Sequence, residues 1–204
     1  YEAEQQHPRR PVALKVIRPD VASPQTLRRF LFEAQILGRL QHPGIAHIYE
    51  AGTAMIASGG LSVEHPYFAM ELVRGQSLQE YAAEQKLGSR ARLELLAKIC
   101  DAVQYAHQKG IIHRDLKPGN ILVDETSQPK ILDFGVARVT DADVQVTTLH
   151  TNVGQLIGTI PYMSPEQVAG DSHALDARSD VYALGVLCYQ LLVGRLPIDL
   201  TGKT

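Results

Sequence analysis

Residues 112–135 read IHRDLKPGNILVDETSQPKILDFG. Within them His113-Arg114-Asp115 is followed by Lys117, Asn120 and then Asp133-Phe134-Gly135. Ile121-Leu122-Val123 and Lys130-Ile131-Leu132 are short runs of strand-forming residues, and the polar segment Asp124 to Pro129 separates them. Two such runs around a turn read as a hairpin. A hairpin brings Asn120 and Asp133 to the same end. That end then carries a carboxylate able to serve as a base, a cation, and two oxygen ligands of the kind hard metal ions take. Phosphoryl transfer from a metal-bound nucleotide needs such a set, because most of that catalysis is positioning and charge neutralisation.

Outward from this stretch, the chain has 204 residues, enough for one core or two small lobes. It is 45% hydrophobic and 21% charged, the balance of an ordinary globular chain. Lys plus Arg is 20 against 22 for Asp plus Glu, a formal net charge of -2. That balance argues against a nucleic-acid partner, which favours basic surfaces. Cys100 and Cys188 lie in helix-like apolar runs and read as buried free thiols. No CxxC and no metal-type Cys/His spacing is present. The longest apolar run, Val181 to Val193, suits a buried helix and is shorter than the ~18 residues a membrane span needs. No membrane contact is expected from this segment. The start at Tyr1 and the end at Gly202-Lys203-Thr204, with no helix stop behind it, read as the ends of a fragment.

Along the chain, Tyr1 to Gln6 and Val12 to Ile17 predict two strands around a turn from Gln6 to Arg10. Lys15 is the one charge in the second strand. Two readings stand open: an edge lysine that snorkels, or a cation held for phosphate. Ser23-Pro24 opens a helix whose buried face is Leu27, Phe30, Leu31, Ala34, Leu37 and Leu40. Ile45 to Ala51 and Tyr67 to Val73 predict further strands, and Gly52 to Pro66 a loop with a partial strand. Ser77 caps a short helix through Glu84. Ser89 caps a longer one through Lys109, with Leu93, Leu96, Ala97, Cys100, Val103 and Ala106 on its buried face and Gly110 as its stop. The stretch from Val136 to Met163 is polar and Thr-rich, the character of a mobile segment.

The HRD triplet, Lys117, Asn120 and the DFG triplet together resemble the catalytic and metal-binding loops of the eukaryotic-type, or Hanks-type, serine/threonine protein kinases. The PGN triplet and the Thr-rich segment look most like the bacterial members. The resemblance implies an α+β, bilobal protein-kinase-like fold. Residues 1–74 are then an incomplete, β-rich N-lobe without its Gly-rich loop, and residues 75–204 an incomplete, mainly helical C-lobe. It implies ATP and Mg²⁺ as cofactors, with Mn²⁺ as an alternative, and proteins with Ser or Thr hydroxyls as substrates. Asp115 is the expected base and Lys117 the cation at the γ-phosphate, with Asn120 and Asp133 as metal ligands. Lys15 is expected at the α- and β-phosphates with Glu33 as its partner. Ala13 and Leu122 would sandwich adenine. Met70 would be the gatekeeper, with the backbones of Glu71 and Val73 on the adenine edge. Leu37, Ile48, His113 and Phe134 match a packing column of the family. Thr159 is expected to be structural, bonding Asp115 and Lys117. Glu166, in a Ser-Pro-Glu variant of the family's Ala-Pro-Glu, and Asp180, which holds the catalytic-loop backbone, are expected to be structural as well.

Arg114 beside the base needs an anion, and Arg29 and Arg138 fall where the family adds cations to the same pocket. Activation by phosphorylation follows, with Thr151 first and then Thr147 and Thr148 as acceptors. Self-association for autophosphorylation is the expected route. The location implied is cytoplasmic, alone or as the cytoplasmic part of a longer membrane-anchored protein. Two alternatives stay open: a non-catalytic pseudokinase or binding module, and a small-molecule phosphotransferase of the same fold.

Overall fold

A computed structural model describes residues 1–16, 32, 34–58, 61–134, 159–170 and 175–198. β1 (Glu2–Gln6) and β2 (Arg9–Val16) are antiparallel. Their turn is only His7 and Pro8, because Arg9 and Arg10 already pair with Gln6 and Gln5. β3 (Ile48–Ser58) and β4 (Leu61–Glu71) complete a sheet of order β1-β2-β4-β3. The segment Gly52 to Pro66, expected to be largely loop, is instead the outer half of this hairpin, paired from Gly52 and Tyr67 out to Ser58 and Leu61. Cross-strand hydrogen bonds satisfy the backbone whatever the side-chain size. The weak apolar signal there reflects exposure, since Met55 is 64% exposed.

A second sheet has the order β5-β6-β7, formed by β5 (Gly75–Ser77), β6 (Ile121–Asp124) and β7 (Pro129–Ile131). The expected hairpin is present, and β5 is an addition that three residues are too few to announce. Gly75 is needed there because a Cβ at this position would lie 2.3 Å from the Val123 carbonyl oxygen. The segment before β3 is tied to β7 where Ile131 N–H donates to Gly44 O at 2.8 Å and Ala46 N–H to Ile131 O at 2.9 Å.

α1 (Leu78–Glu84) starts at Ser77, which forms a capping box with Glu80. α2 (Ser89–Gln108) takes Gly88 rather than Ser89 as its N-cap, with no side-chain cap bond. Gly110 follows with φ +74 and stops the helix in the left-handed conformation. The buried face of α2 is Leu95, Ile99, Ala102, Val103 and Ala106. This corrects the expected face. Leu93, Ala97 and Cys100 are exposed, and Cys188 is half-buried, so the thiols are not core residues. Apolar residues run most of the way round α2, and only the arrival of its neighbours selects which of them are covered.

Two elements close the described chain. α3 (Pro165–Val168) follows a 3-10 turn, Ile160–Tyr162. α4 (Ala177–Val193) is capped by Asp176, whose carboxylate accepts from Arg178 N–H at 2.8 Å. α4 packs on α2 through Ala183, Val186, Leu187 and Leu191. It was expected to be buried on every side, yet Val181 and Val193 are 59% and 51% exposed. Its packing partners among the described residues lie on one side only. Arg92 fastens α2 to α4 by donating to both Leu87 O and Leu191 O. Of the expected helix face near residue 30, Ala34, Leu37 and Leu40 are buried. Leu27, Phe30 and Leu31 lie outside the described residues.

Candidate active site

The catalytic-loop candidate is held from below by α4. Asp180, 1% exposed, accepts from Arg114 N–H through Oδ1 and from His113 N–H through Oδ2, both at 2.8 Å. His107 on α2 adds a third contact, its Nε2 lying 2.7 Å from Asp180 Oδ2. Nothing local in the sequence marks His107, because its partner is 73 residues away. His113 is fully buried. Burial pushes its imidazole below the ordinary pKa, against the opposing pull of the Asp180 carboxylate. Neutral His113 then divides its nitrogens. Nε2–H donates to Leu132 O at 2.9 Å, and Nδ1 accepts from Asp115 N–H at 3.2 Å. Its ring meets Phe134 edge-on at 4.7 Å. Leu37 and Phe134 are buried, and Ile48 packs against the same core.

Beyond this support, the polar residues converge. Lys117 Nζ lies 2.9 Å from Asp115 Oδ2 and donates to Thr159 Oγ1 at 2.8 Å. Asn120 Nδ2 donates to the Asp115 carbonyl at 2.7 Å and to Asp115 Oδ2 at 3.0 Å. With its NH₂ so engaged, Asn120 presents Oδ1 as a hard acceptor. Leu132 N–H donates to Asn120 O at 2.8 Å, which fixes the open end of the hairpin. Asp133 follows at once, and its Oδ2 lies 2.8 Å from Lys15 Nζ. Arg114 and Asp133 both have positive φ, +69 and +61. Such conformations cost a non-glycine residue about 1–3 kcal/mol and cluster at functional sites.

Above the polar group lies a cleft of about 440 Å³. Ala13, Lys15, Met70, Glu71, Val73, Leu122 and Asp133 all line it, with Leu14, Leu72 and Leu132. Met70 is buried. The Glu71 side chain is turned away to an ion pair with Lys130 at 2.7 Å, and Glu71 N–H donates to His47 O at 2.8 Å. Lys130 and His47 were not singled out from the sequence; the Glu71–Lys130 pair joins two different sheets, and His47 meets Glu71 from the segment just before β3.

Glu166 accepts from Ser179 Oγ at 2.7 Å, a bond that helps hold its carboxyl below the usual range. Glu33, Arg29, Arg138, Thr147, Thr148 and Thr151 lie outside the described residues. Lys15 and Asp133 thus line the cleft, and the bonded set Asp115, Lys117, Asn120 and Thr159 adjoins them through the Leu132 N–H to Asn120 O bond.

The residues fit a divalent cation. An amide oxygen and a carboxylate stand at adjoining ends of a hairpin, and both are hard donors. Among the described residues no group of three or more His, Cys, Asp or Glu gathers to hold a metal by itself.

Comparison with known proteins agrees with this geometry. The protein kinase domain profile matches residues 1–204. The chain belongs to the protein kinase family. Serine/threonine-protein kinase PknB of Mycobacterium leprae is 42% identical over 190 residues, 92% of this chain and 29% of that protein. PknB of Mycobacterium tuberculosis is 42% identical over 191 residues, with the same coverages. A probable serine/threonine-protein kinase of Corynebacterium efficiens is 41% identical over 192 residues, 93% of this chain and 28% of that protein. The chain therefore spans less than a third of the length of these relatives. The fold expected for the family, α+β with a β-rich part followed by a helical part, is the one observed. Protein kinases use ATP and a divalent cation.

Proposed function

We propose that this chain is the catalytic domain of a serine/threonine protein kinase that moves the γ-phosphate of ATP to Ser or Thr hydroxyls of proteins. The observation that carries the proposal is the hydrogen-bonded set Asp115, Lys117, Asn120 and Thr159, tied through Asn120 to Leu132, the neighbour of Asp133, which pairs with Lys15 at the cleft. Asp115 orients the attacking hydroxyl and takes its proton. Lys117, already bonded to Asp115, stands where it stabilises charge gathering on the transferred group. Lys15 holds the α- and β-phosphates. The apolar pair Ala13 and Leu122 takes the adenine faces, while the backbones of Glu71 and Val73 meet its edge. Asn120 and Asp133 would hold Mg²⁺, with Mn²⁺ as the alternative, and the ion when bound neutralises phosphate charge. Thr159 keeps Lys117 aimed, and Asp180 keeps the loop in place.

Regulation belongs to the same proposal. Phosphate on Thr151, or on Thr147 or Thr148, supplied by a second copy of the protein, would be met by Arg114, with Arg29 and Arg138 as the further cations that the family resemblance implies. A pseudokinase and a small-molecule phosphotransferase, the alternatives left open by the sequence, are not favoured by the similarity to serine/threonine-protein kinases. Incubation of the full-length protein with Mg-ATP, followed by phosphoamino-acid analysis, separates the proposal from both. Phosphothreonine and phosphoserine on protein support the proposal. ATP binding without any phosphoprotein sinks it.

A further inference from the structure

Gln167, the third residue of α3, makes two hydrogen bonds, one within the capping box that starts the helix and one that no motif accounts for. Its Oε1 accepts from Ser164 N–H at 2.9 Å, and its Nε2 donates to the Arg114 carbonyl at 2.6 Å. The second bond spans 53 residues and ends on the peptide that carries Asp115. That peptide is held from both sides. Its carbonyl goes to Gln167, and its N–H, that of Asp115, goes to His113 Nδ1. The preceding N–H, of Arg114, goes to Asp180. Arg114 has φ +69, so this peptide sits in a conformation that its surroundings must enforce.

We infer that Gln167 is a positioning residue that links the order of residues 159–168 to the orientation of Asp115. A primary amide suits the bridge because it accepts at one atom and donates at the other. Glutamate has the same shape, yet its carboxylate only accepts, and it would set a charge against the Arg114 carbonyl. Methionine has similar reach and makes neither bond. Residues 159–163 also carry Thr159, the partner of Lys117. When the segment up to α3 is seated, both Lys117 and Asp115 are aimed. When it leaves, both are released together. The inference rests on the kinase reading for its catalytic consequence, but the bridge itself does not depend on it.

The test uses Gln167→Met and Gln167→Glu in the full-length protein. Expected is a fall in kcat of roughly tenfold for Gln167→Met and more for Gln167→Glu, the loss of one hydrogen bond to a reacting group's support being worth about a factor of ten. KM for ATP should stay within about twofold, since no nucleotide contact is touched. Native-state hydrogen exchange at the Asp115 amide reads the bridge without any nucleotide and should quicken in both variants. Unchanged kcat in both variants, or Gln167→Glu matching wild type while Gln167→Met falls, overturns the inference. So does unaltered exchange at the Asp115 amide. Altered exchange in a protein that transfers no phosphate would leave the bridge standing and remove the kinase reading instead.

Discussion

Replacing Asp180 by alanine should destabilise the domain by about 2–5 kcal/mol, because it strands buried donors rather than merely deleting a contact. The carboxylate receives Arg114 N–H and His113 N–H at 2.8 Å each, and His107 at 2.7 Å, in a site where Asp180 is 1% exposed. A buried donor left unpaired costs roughly 1–3 kcal/mol, and two backbone N–H groups are stranded at once. Water entering the vacated space offsets part of that loss. Asp180→Asn is the sharper control. It keeps one acceptor oxygen and turns an NH₂ toward the other N–H, so one bond survives and the cost is about 1–3 kcal/mol. The total stability of such a domain is about 5–15 kcal/mol, so the alanine variant removes a large share of it. Equilibrium urea unfolding reads the difference. With a slope of about 1–3 kcal/mol per molar urea, the midpoint should fall by about 1–2 M for alanine and less for asparagine. A midpoint shift below about 0.3 M for Asp180→Ala, at unchanged slope, would mean that the carboxylate does not hold those donors in place.

Three further outcomes follow from the same structure. Burial lowers the His113 pKa below its ordinary 6.5, so below that pH the unfolded chain binds a proton that the folded chain refuses. Stability should therefore fall as pH drops below about 6.5, by up to about 1.4 kcal/mol per pH unit, and unfolding of His113→Phe between pH 7 and 5 should lack this component. Thr159→Ala removes the 2.8 Å bond from Lys117 and should lower kcat about tenfold, while Thr159→Ser restores it; equal rates for all three would contradict the role given to Thr159. The Glu71–Lys130 pair, whose side chains are only 26% and 16% exposed, should show a coupling of about 1 kcal/mol in a double-mutant cycle of Glu71→Gln and Lys130→Met, and zero coupling would mean that the pair does not join the sheets.

Much of the site was legible because its residues lie close together in the sequence. Asp115, Lys117, Asn120 and Asp133 come from a single loop-and-hairpin unit, and hairpin register is a local property. The Lys117–Thr159 bond was also foreseen, through family resemblance rather than spacing. What stayed hidden was long-range. His107, Gln167 and Lys130 act through partners on other elements, and a single sequence carries no local pattern for such pairs. The outer part of the β3–β4 hairpin was misread because small, exposed residues give no alternation to see. The covered face of α2 was misplaced for the opposite reason. With apolar residues at positions 93, 95, 96, 97, 99 and 100, periodicity leaves several faces equivalent, and α4 and β7 choose among them.

On the proposal above, Asp115 and its bonded neighbours form a phosphoryl-transfer centre. Single-turnover transfer of labelled phosphate from Mg-ATP to a protein acceptor tests it most directly, run on the full-length protein beside its Asp115→Asn variant. The account predicts labelled Ser or Thr with the wild type, a rate roughly 10²–10⁴-fold lower with Asp115→Asn, and nucleotide affinity unchanged between the two. Equal transfer rates in both proteins, or no transfer by a wild-type protein that binds Mg-ATP, would contradict it.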